Sequence, residues 1–251
     1  MANKIIRSLV TYAIRDHLHD LADAIRRLRN VENALDALIV SPVYRAGDEI
    51  GFNGQLARKT LFLALTQHIR FDCVIETGTW LGDTTAFMAQ TARLPVFTTE
   101  IERRFHFLAR SRLASVGGVT FELGDSRAFL RSLVARNAAG AMPFVYLDAH
   151  WYEDLPLAEE IDIIAAHWRQ FVIMIDDFQV PGDEGYSYDR YGEVALTIEY
   201  IRPSLERHGL VAFFPATPST QETGARRGCV VLARREGLAA GLAQLPLLRA
   251  G

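Results

Sequence analysis

The chain is poor in cysteine: Cys73 and Cys229 are the only two among 251 residues, and both sit in apolar, strand-like runs. Two thiols so placed argue against a disulfide framework, and no Cys/His spacing suggests zinc; buried free thiols are expected. No apolar stretch reaches the roughly 18 residues needed to cross a bilayer, so no membrane partner is expected. Lys4 and Arg7 stand near the amino terminus, but Arg15, Asp16 and His17 break the apolar core a secretion signal requires. A cytoplasmic location is therefore the expectation. Positive charge is not in excess either, since 27 Lys and Arg against 30 Asp and Glu leave a formal net charge of −3. That removes the broad basic face of a nucleic-acid binder.

What is present is an alternation of short apolar runs and helical segments. Residues 5–39 read as helix, with Ile14, Leu18, Leu21, Ile25, Leu28, Leu35 and Leu38 at spacings of three or four or their multiples. The register resembles a heptad seam. It suits an extension packed on its own domain, or a lid or dimerisation helix that would make a homodimer. Ser41-Pro42 ends it, which divides the chain into a helical extension over residues 1–45 and a main domain over 46–251.

In the main domain, helices over 55–69, 83–92, 102–115, 126–137 and 156–168 alternate with strands over 72–76, 95–100, 119–123, 144–148 and 171–176. Continuous apolar strands are buried on both faces, and their alternation with helices implies a parallel, doubly wound α/β sheet. A helix over 192–207 leads to two further strands, 210–214 and 229–232, with no helix between them, which read as a hairpin.

The segment Cys73-Val-Ile-Glu76-Thr-Gly78-Thr79-Trp80-Leu-Gly82-Asp-Thr84-Thr85 combines a buried strand, a tight turn and a helix start. Glycine lets a ligand approach the backbone, and the free N–H groups of a first helical turn favour an anionic group. Ligands of such sheets bind outside the carboxyl ends of the strands. Acids recur there: Glu76, Glu100, Asp125, Asp148 and the pair Asp176-Asp177. Glu100, about 20 residues beyond the glycine turn, is placed to accept hydrogen bonds from ribose hydroxyls. Asp125-Ser126 suits an adenine edge, or Asp125 simply caps the next helix. Asp148, Asp176 and Asp177 end adjacent strands, and three carboxylates converging without a counter-ion repel. A hard divalent cation removes that penalty, so a metal site is expected at these three.

On these residues the chain resembles the class I S-adenosylmethionine-dependent methyltransferases. More narrowly, it is similar to the metal-dependent O-methyltransferases of the catechol and macrolide-sugar types, from about Gly51 to Cys229. The resemblance implies a Rossmann-like, mostly parallel sheet with a C-terminal antiparallel hairpin, in strand order 3-2-1-4-5-7-6. It implies S-adenosylmethionine held by Glu76, Gly78, Thr79, Trp80, Gly82, Thr84, Glu100, Asp125 and Ser126, with Thr84 where the family bonds the methionine carboxylate. The runs Tyr146-Leu147-Asp148-Ala149-His150-Trp151 and Ile175-Asp176-Asp177-Phe178-Gln179-Val180-Pro181-Gly182 match the family's two metal-bearing strand ends, with Mg2+ or another hard cation at Asp148, Asp176 and Asp177.

The chain departs from the catechol type at Trp151, where that type has a lysine base, so no catechol substrate is implied. The expected reaction is methyl transfer to a hydroxyl of a small molecule: a sugar, a polyketide or a phenolic metabolite. His150, with an ordinary pKa of about 6.5, is the candidate base, and Asp148 is the alternative. Tyr186, Tyr188 and Tyr191 line the acceptor pocket or form a surface loop; Arg226-Arg227 meets an anionic acceptor or is a solvated pair. Two rival readings stay open. One is a nicotinamide-dependent oxidoreductase, although Gly78-Thr79-Trp80-Leu81-Gly82 is not Gly-x-Gly-x-x-Gly. The other is a non-catalytic module that retains the cofactor fold.

Overall fold

The computed structural model describes residues 51–138, 140, 142–150 and 154–251, together with 18, 21, 24, 25 and 27–29. The chain divides into two compact units, Met1–Arg45 and Ala46–Gly251. In the first, the described residues are helical and exposed, Leu18, Leu21, Ile25 and Leu28 among them. The lid or dimerisation role expected of residues 5–39 otherwise lies outside the described residues.

The second unit runs α1 (Leu56–His68), β1 (Cys73–Thr77), α2 (Asp83–Ala92), β2 (Val96–Glu100), α3 (Arg103–Arg112), β3 (Val119–Leu123), α4 (Ser126–Ala135), β4 (Pro143–Leu147), α5 (Leu157–His167) and β5 (Val172–Ile175). A small ribbon, β6 (Arg190–Tyr191) with β7 (Val194–Ala195), precedes α6 (Ile198–His208) and β8 (Leu210–Pro215). The chain then forms β9 (Val230–Arg234), α7 (Ala239–Leu242) and β10 (Leu248–Ala250).

Eight strands make one sheet in the order β10-β8-β9-β5-β4-β1-β2-β3. The pairings among β1 to β5 are parallel; β5–β9, β8–β9 and β8–β10 are antiparallel. This is the expected doubly wound α/β class, with β8 and β9 as the expected terminal hairpin and one further edge strand, β10. Of the three residues of β10 only Leu248 is buried, too little alternation to mark a strand. Helix α6 also starts later than 192. Gly192, at φ 57°, turns the chain so that Arg190–Ala195 fold back on themselves, and the helix waits for Thr197.

Strand alternation splits the core into two layers. Val145, Ile173 and Ile175 face α4 and α5, packing with Phe129, Leu130, Ile161 and Ile164. Phe144, Tyr146, Val172 and Met174 face the other way, among Leu61 and Phe62 of α1 and Phe87 and Met88 of α2. Rings interlock there: Phe52 meets Tyr146 and Phe62 meets Phe144, each at 5.1 Å between centroids. Cys73 and Cys229 are buried and not joined in a disulfide, as expected. No helix among the described residues is long and apolar enough to cross a membrane.

The tips of β1 and β4 touch at Gly78. Its φ is +85°, and a Cβ there would lie 2.2 Å from the carbonyl oxygen of Asp148. Gly78→Ala therefore meets both a left-handed backbone and a backbone clash. It is expected to cost about 2–4 kcal/mol, read as a lowered melting temperature, and to displace Asp148 from the site described next.

Candidate functional site

A cavity of about 520 Å3 opens on the strand tips. Gly78, Trp80, Glu100, Asp125 and Ser126 line it, and so do Asp148, Asp177, Asp189, Asn53 and Arg227.

The Glu100 carboxylate is fixed at the end of β2. One oxygen accepts from the Trp80 N–H at 2.7 Å and the other from the Glu102 N–H at 2.8 Å. Desolvation raises its pKa above the ordinary value, and these two bonds oppose the rise. Asp125 is the helix cap, one of its two expected roles. It caps α4, accepting from the Arg127 and Ala128 N–H groups at 3.0 and 3.1 Å, and it lines the cavity. The Arg127 guanidinium, 2.7 Å away, holds its carboxyl below the ordinary value.

Four expected cofactor residues build the turn without lining the cavity. Glu76 is buried beneath it, accepting from the hydroxyls of Thr85 and Thr98, and burial pushes its carboxyl up to about 7. The Thr79 hydroxyl bonds that of Thr98 at 2.5 Å. The Thr84 hydroxyl accepts from the Phe52 N–H at 3.0 Å, and Gly82, at φ 82°, starts α2.

Glu160, on α5, was not singled out by its sequence context, yet it is wholly buried. Burial pushes its carboxyl up to about 7, against the pull of Ser126 and Thr77. With the folded pKa raised from 4.5 to about 7, the folded state holds a proton the unfolded chain releases. Its stability contribution is full below the unfolded value and is lost as pH rises through about 7. Glu160→Gln is therefore expected to leave stability at pH 5 nearly unchanged and to raise it at pH 8 by roughly 1–3 kcal/mol. Denaturant titrations at the two pH values check this.

The acids after β4 and β5 do not assemble as three aspartates. Asp176 keeps the alternation of β5, which puts its side chain on the face of Met174 and Tyr146, under α1. There it is buried and ion-paired with Arg58, and it accepts from the Tyr146 hydroxyl at 2.5 Å and from Asn53 Nδ2 at 3.3 Å. These contacts engage both Asp176 oxygens, and the group that could hold a cation among the described residues is Asp148, His150 and Asp177 rather than the expected Asp148, Asp176 and Asp177.

Asp177 breaks the alternation. Its φ of 52° is left-handed, a backbone that Asp adopts more readily than most non-glycine residues. The carboxylate turns toward Asp148 and His150.

These three residues each offer a donor atom within 4.8 Å of the others. His150 Nε2 lies 3.8 Å from Asp148 Oδ1 and 3.9 Å from Asp177 Oδ2, beyond hydrogen-bond reach. The imidazole is fully buried, and neither ring nitrogen has a hydrogen-bond partner among the described residues. Burial holds its pKa below the ordinary value, with Asp177 and Asp189 pulling the other way. The Asp148 carboxyl is pushed well above its usual range, by desolvation first and then by Asp177 and Glu76. Donors sharing one small cation at about 2.0–2.2 Å lie roughly 3–4 Å apart, and both separations from His150 fall in that range, so the group could hold a divalent ion.

Arg227 emerges from the loop before β9 as a partner of the site, not as an exposed loop charge. Its guanidinium donates to Asp177 Oδ1 and to Asp189, leaving Asp177 Oδ2 toward His150. Gln55 clamps the Arg227 backbone, with bonds of 2.8 and 3.0 Å. Arg226 turns away to the Glu222 carbonyl. The Tyr191 hydroxyl lies within reach of two acceptors, the His150 carbonyl and, at 2.8 Å, the Asp189 carboxylate, and Tyr186 is buried against Thr217. Neither tyrosine lines the cavity; Asp189, between them, does. Trp151 lies outside the described residues.

No protein-family model matches the chain, and no curated protein sequence does. Solved structures do. An O-methyltransferase from Bacillus cereus in complex with SAH is 17% identical, with a TM-score of 0.53, over 82% of this chain and 91% of that one. The O-methyltransferase TomG from Streptomyces achromogenes, in complex with SAM, is 21% identical over 71% of this chain and 79% of that one, with a TM-score of 0.48. The first likeness shows that the chain shares the Rossmann-like α/β fold of that protein.

Proposed function

We propose that the chain is an S-adenosylmethionine-dependent O-methyltransferase. It acts on a hydroxyl of a small molecule, a sugar, polyketide or phenolic metabolite, with a divalent cation seated at Asp148, His150 and Asp177. One observation carries the reading: two carboxylates and a buried imidazole without a hydrogen-bond partner among the described residues converge beside the cavity lined by Gly78 and Glu100.

The division of labour follows from the residues. Glu100, its oxygens already oriented by two backbone N–H groups, has lone pairs left for ribose hydroxyls. Gly78 lets the donor approach the strand tip without a side chain in the way. Trp80 and Phe105, in edge contact at 6.3 Å, add apolar surface to the same wall. A bound divalent cation supplies Lewis acidity, lowering the pKa of an acceptor hydroxyl. The Asp148 side chain is 26% exposed and lines the cavity, whereas that of His150 is fully buried. Of the two candidate bases Asp148 is thus the one with access to the cavity, where the oxygen not given to the cation would take the acceptor's proton, and on this reading His150 serves as a donor to the cation. Arg227 and Asp189 hold Asp177 in line.

The test is a mass-shift screen of metabolite extracts with isotopically labelled S-adenosylmethionine. A product carrying the labelled methyl group, lost on adding a chelator and restored by a divalent ion, is expected. Thermal stabilisation by a nicotinamide dinucleotide and not by S-adenosylmethionine would reverse the assignment.

A further inference from the structure

The donor set has a consequence for which ion sits there. We infer that Asp148, His150 and Asp177 form a site for a first-row transition-metal divalent ion, Mn2+ or a later member of the series, in preference to Mg2+. This rests on the metal reading proposed above and narrows it.

Three aspartates would make an all-oxygen site, the kind hard Mg2+ prefers. Asp176 is not available for it, being tied to Arg58, Tyr146 and Asn53. The third position is filled by an imidazole instead. His150 has two buried ring nitrogens without hydrogen-bond partners among the described residues, and Nε2 stands 3.8 and 3.9 Å from the two carboxylates. A buried polar atom left without a partner is costly, and nearly all native examples have one. A cation between Nε2 and the carboxylates would supply it.

Mg2+ exchanges its water oxygens reluctantly and gains little from a neutral nitrogen donor. Affinity for nitrogen-containing sites rises from Mn2+ along the series to Cu2+, and imidazole suits Fe, Ni and Zn, while carboxylates keep Mn2+ in range. Two carboxylates with one imidazole therefore favour the transition ions. Arg227 sharpens the effect by engaging Asp177 Oδ1, which leaves Oδ2 toward His150 and reduces the oxygens open to a hard ion.

Mn2+ binding to the full chain with S-adenosylhomocysteine present is the test, read by loss of the free-ion electron paramagnetic resonance signal and by hyperfine coupling to an imidazole nitrogen. Mg2+ is titrated as competitor. The expected result is at least tenfold tighter binding of Mn2+ than Mg2+, with nitrogen coupling in the unaltered protein. In His150→Gln that preference is expected to shrink to within about threefold, whereas Asp177→Asn weakens both ions together. Equal affinity for the two ions, or no nitrogen coupling, or an unchanged preference in a folded His150→Gln variant, would overturn the inference and leave a hard-ion site standing. If neither ion binds while S-adenosylhomocysteine does, the metal reading itself falls, this inference with it.

Discussion

Asp177→Asn is expected to reduce methyl transfer at least about a hundredfold while cofactor affinity stays within about twofold. Loss of a group that only orients a metal ligand already costs 10–100-fold in affinity or activity, and a ligand itself should cost more. Asp177 reaches Asp148 and His150 with one oxygen and Arg227 with the other. Asparagine keeps the shape but removes the charge and one acceptor oxygen. The proposed cofactor contacts should be spared, because Glu100, Gly78 and Trp80 lie on β2 and the β1 turn. The measurement is a pair of titrations: S-adenosylhomocysteine by calorimetry, and initial rate against metal concentration. A normal rate in a chelated Asp177→Asn sample would show that the site does not serve catalysis.

The neighbouring residue behaves oppositely. Asp176→Asn is expected to destabilise the fold by about 3–5 kcal/mol, because it leaves the buried Arg58 guanidinium without its counter-charge. For a unit of this size that is roughly 10 °C in melting temperature. Arg58→Met, which strands the carboxylate instead, should cost a similar amount. The double variant Asp176→Asn with Arg58→Met should recover part of the loss, since removing both charges of a buried pair is far milder than removing one. Thermal melts of the three variants form the cycle. If Asp176→Asn instead left stability intact and weakened metal binding, Asp176 would be a ligand after all.

Much of the fold was legible because its strands are buried on both faces, which writes them as apolar runs such as Phe144-Val145-Tyr146-Leu147 and Val172-Ile173-Met174-Ile175. The β10 edge, with one buried side chain in three, carries no such signature. At the site, the strand-end acids marked the right edge of the sheet, and Glu100, Asp125 and Asp148 do line the cavity. What adjacency in sequence concealed was the split between Asp176 and Asp177. Alternation alone assigns Asp176 to the face of Met174 and Tyr146, so the signal was there, but its partner was not: Arg58 stands 118 residues away on another element. The left-handed turn at Asp177 is likewise set by tertiary contacts, the Asp189 N–H to its carbonyl and Arg227 to its carboxylate. His150 is expected as a base from its ordinary pKa; its complete burial, which no local pattern announces, is what motivates the proposal that it is a donor to a cation.

The central claim is that one ion is gripped by Asp148, His150 and Asp177 beside the cofactor. Anomalous diffraction from crystals soaked in Mn2+ and S-adenosylhomocysteine tests it directly. A single anomalous peak within bonding distance of those three side chains, with Asp176 still on Arg58, is the predicted result. No peak there with the cofactor bound, or a peak against Asp176, would contradict it.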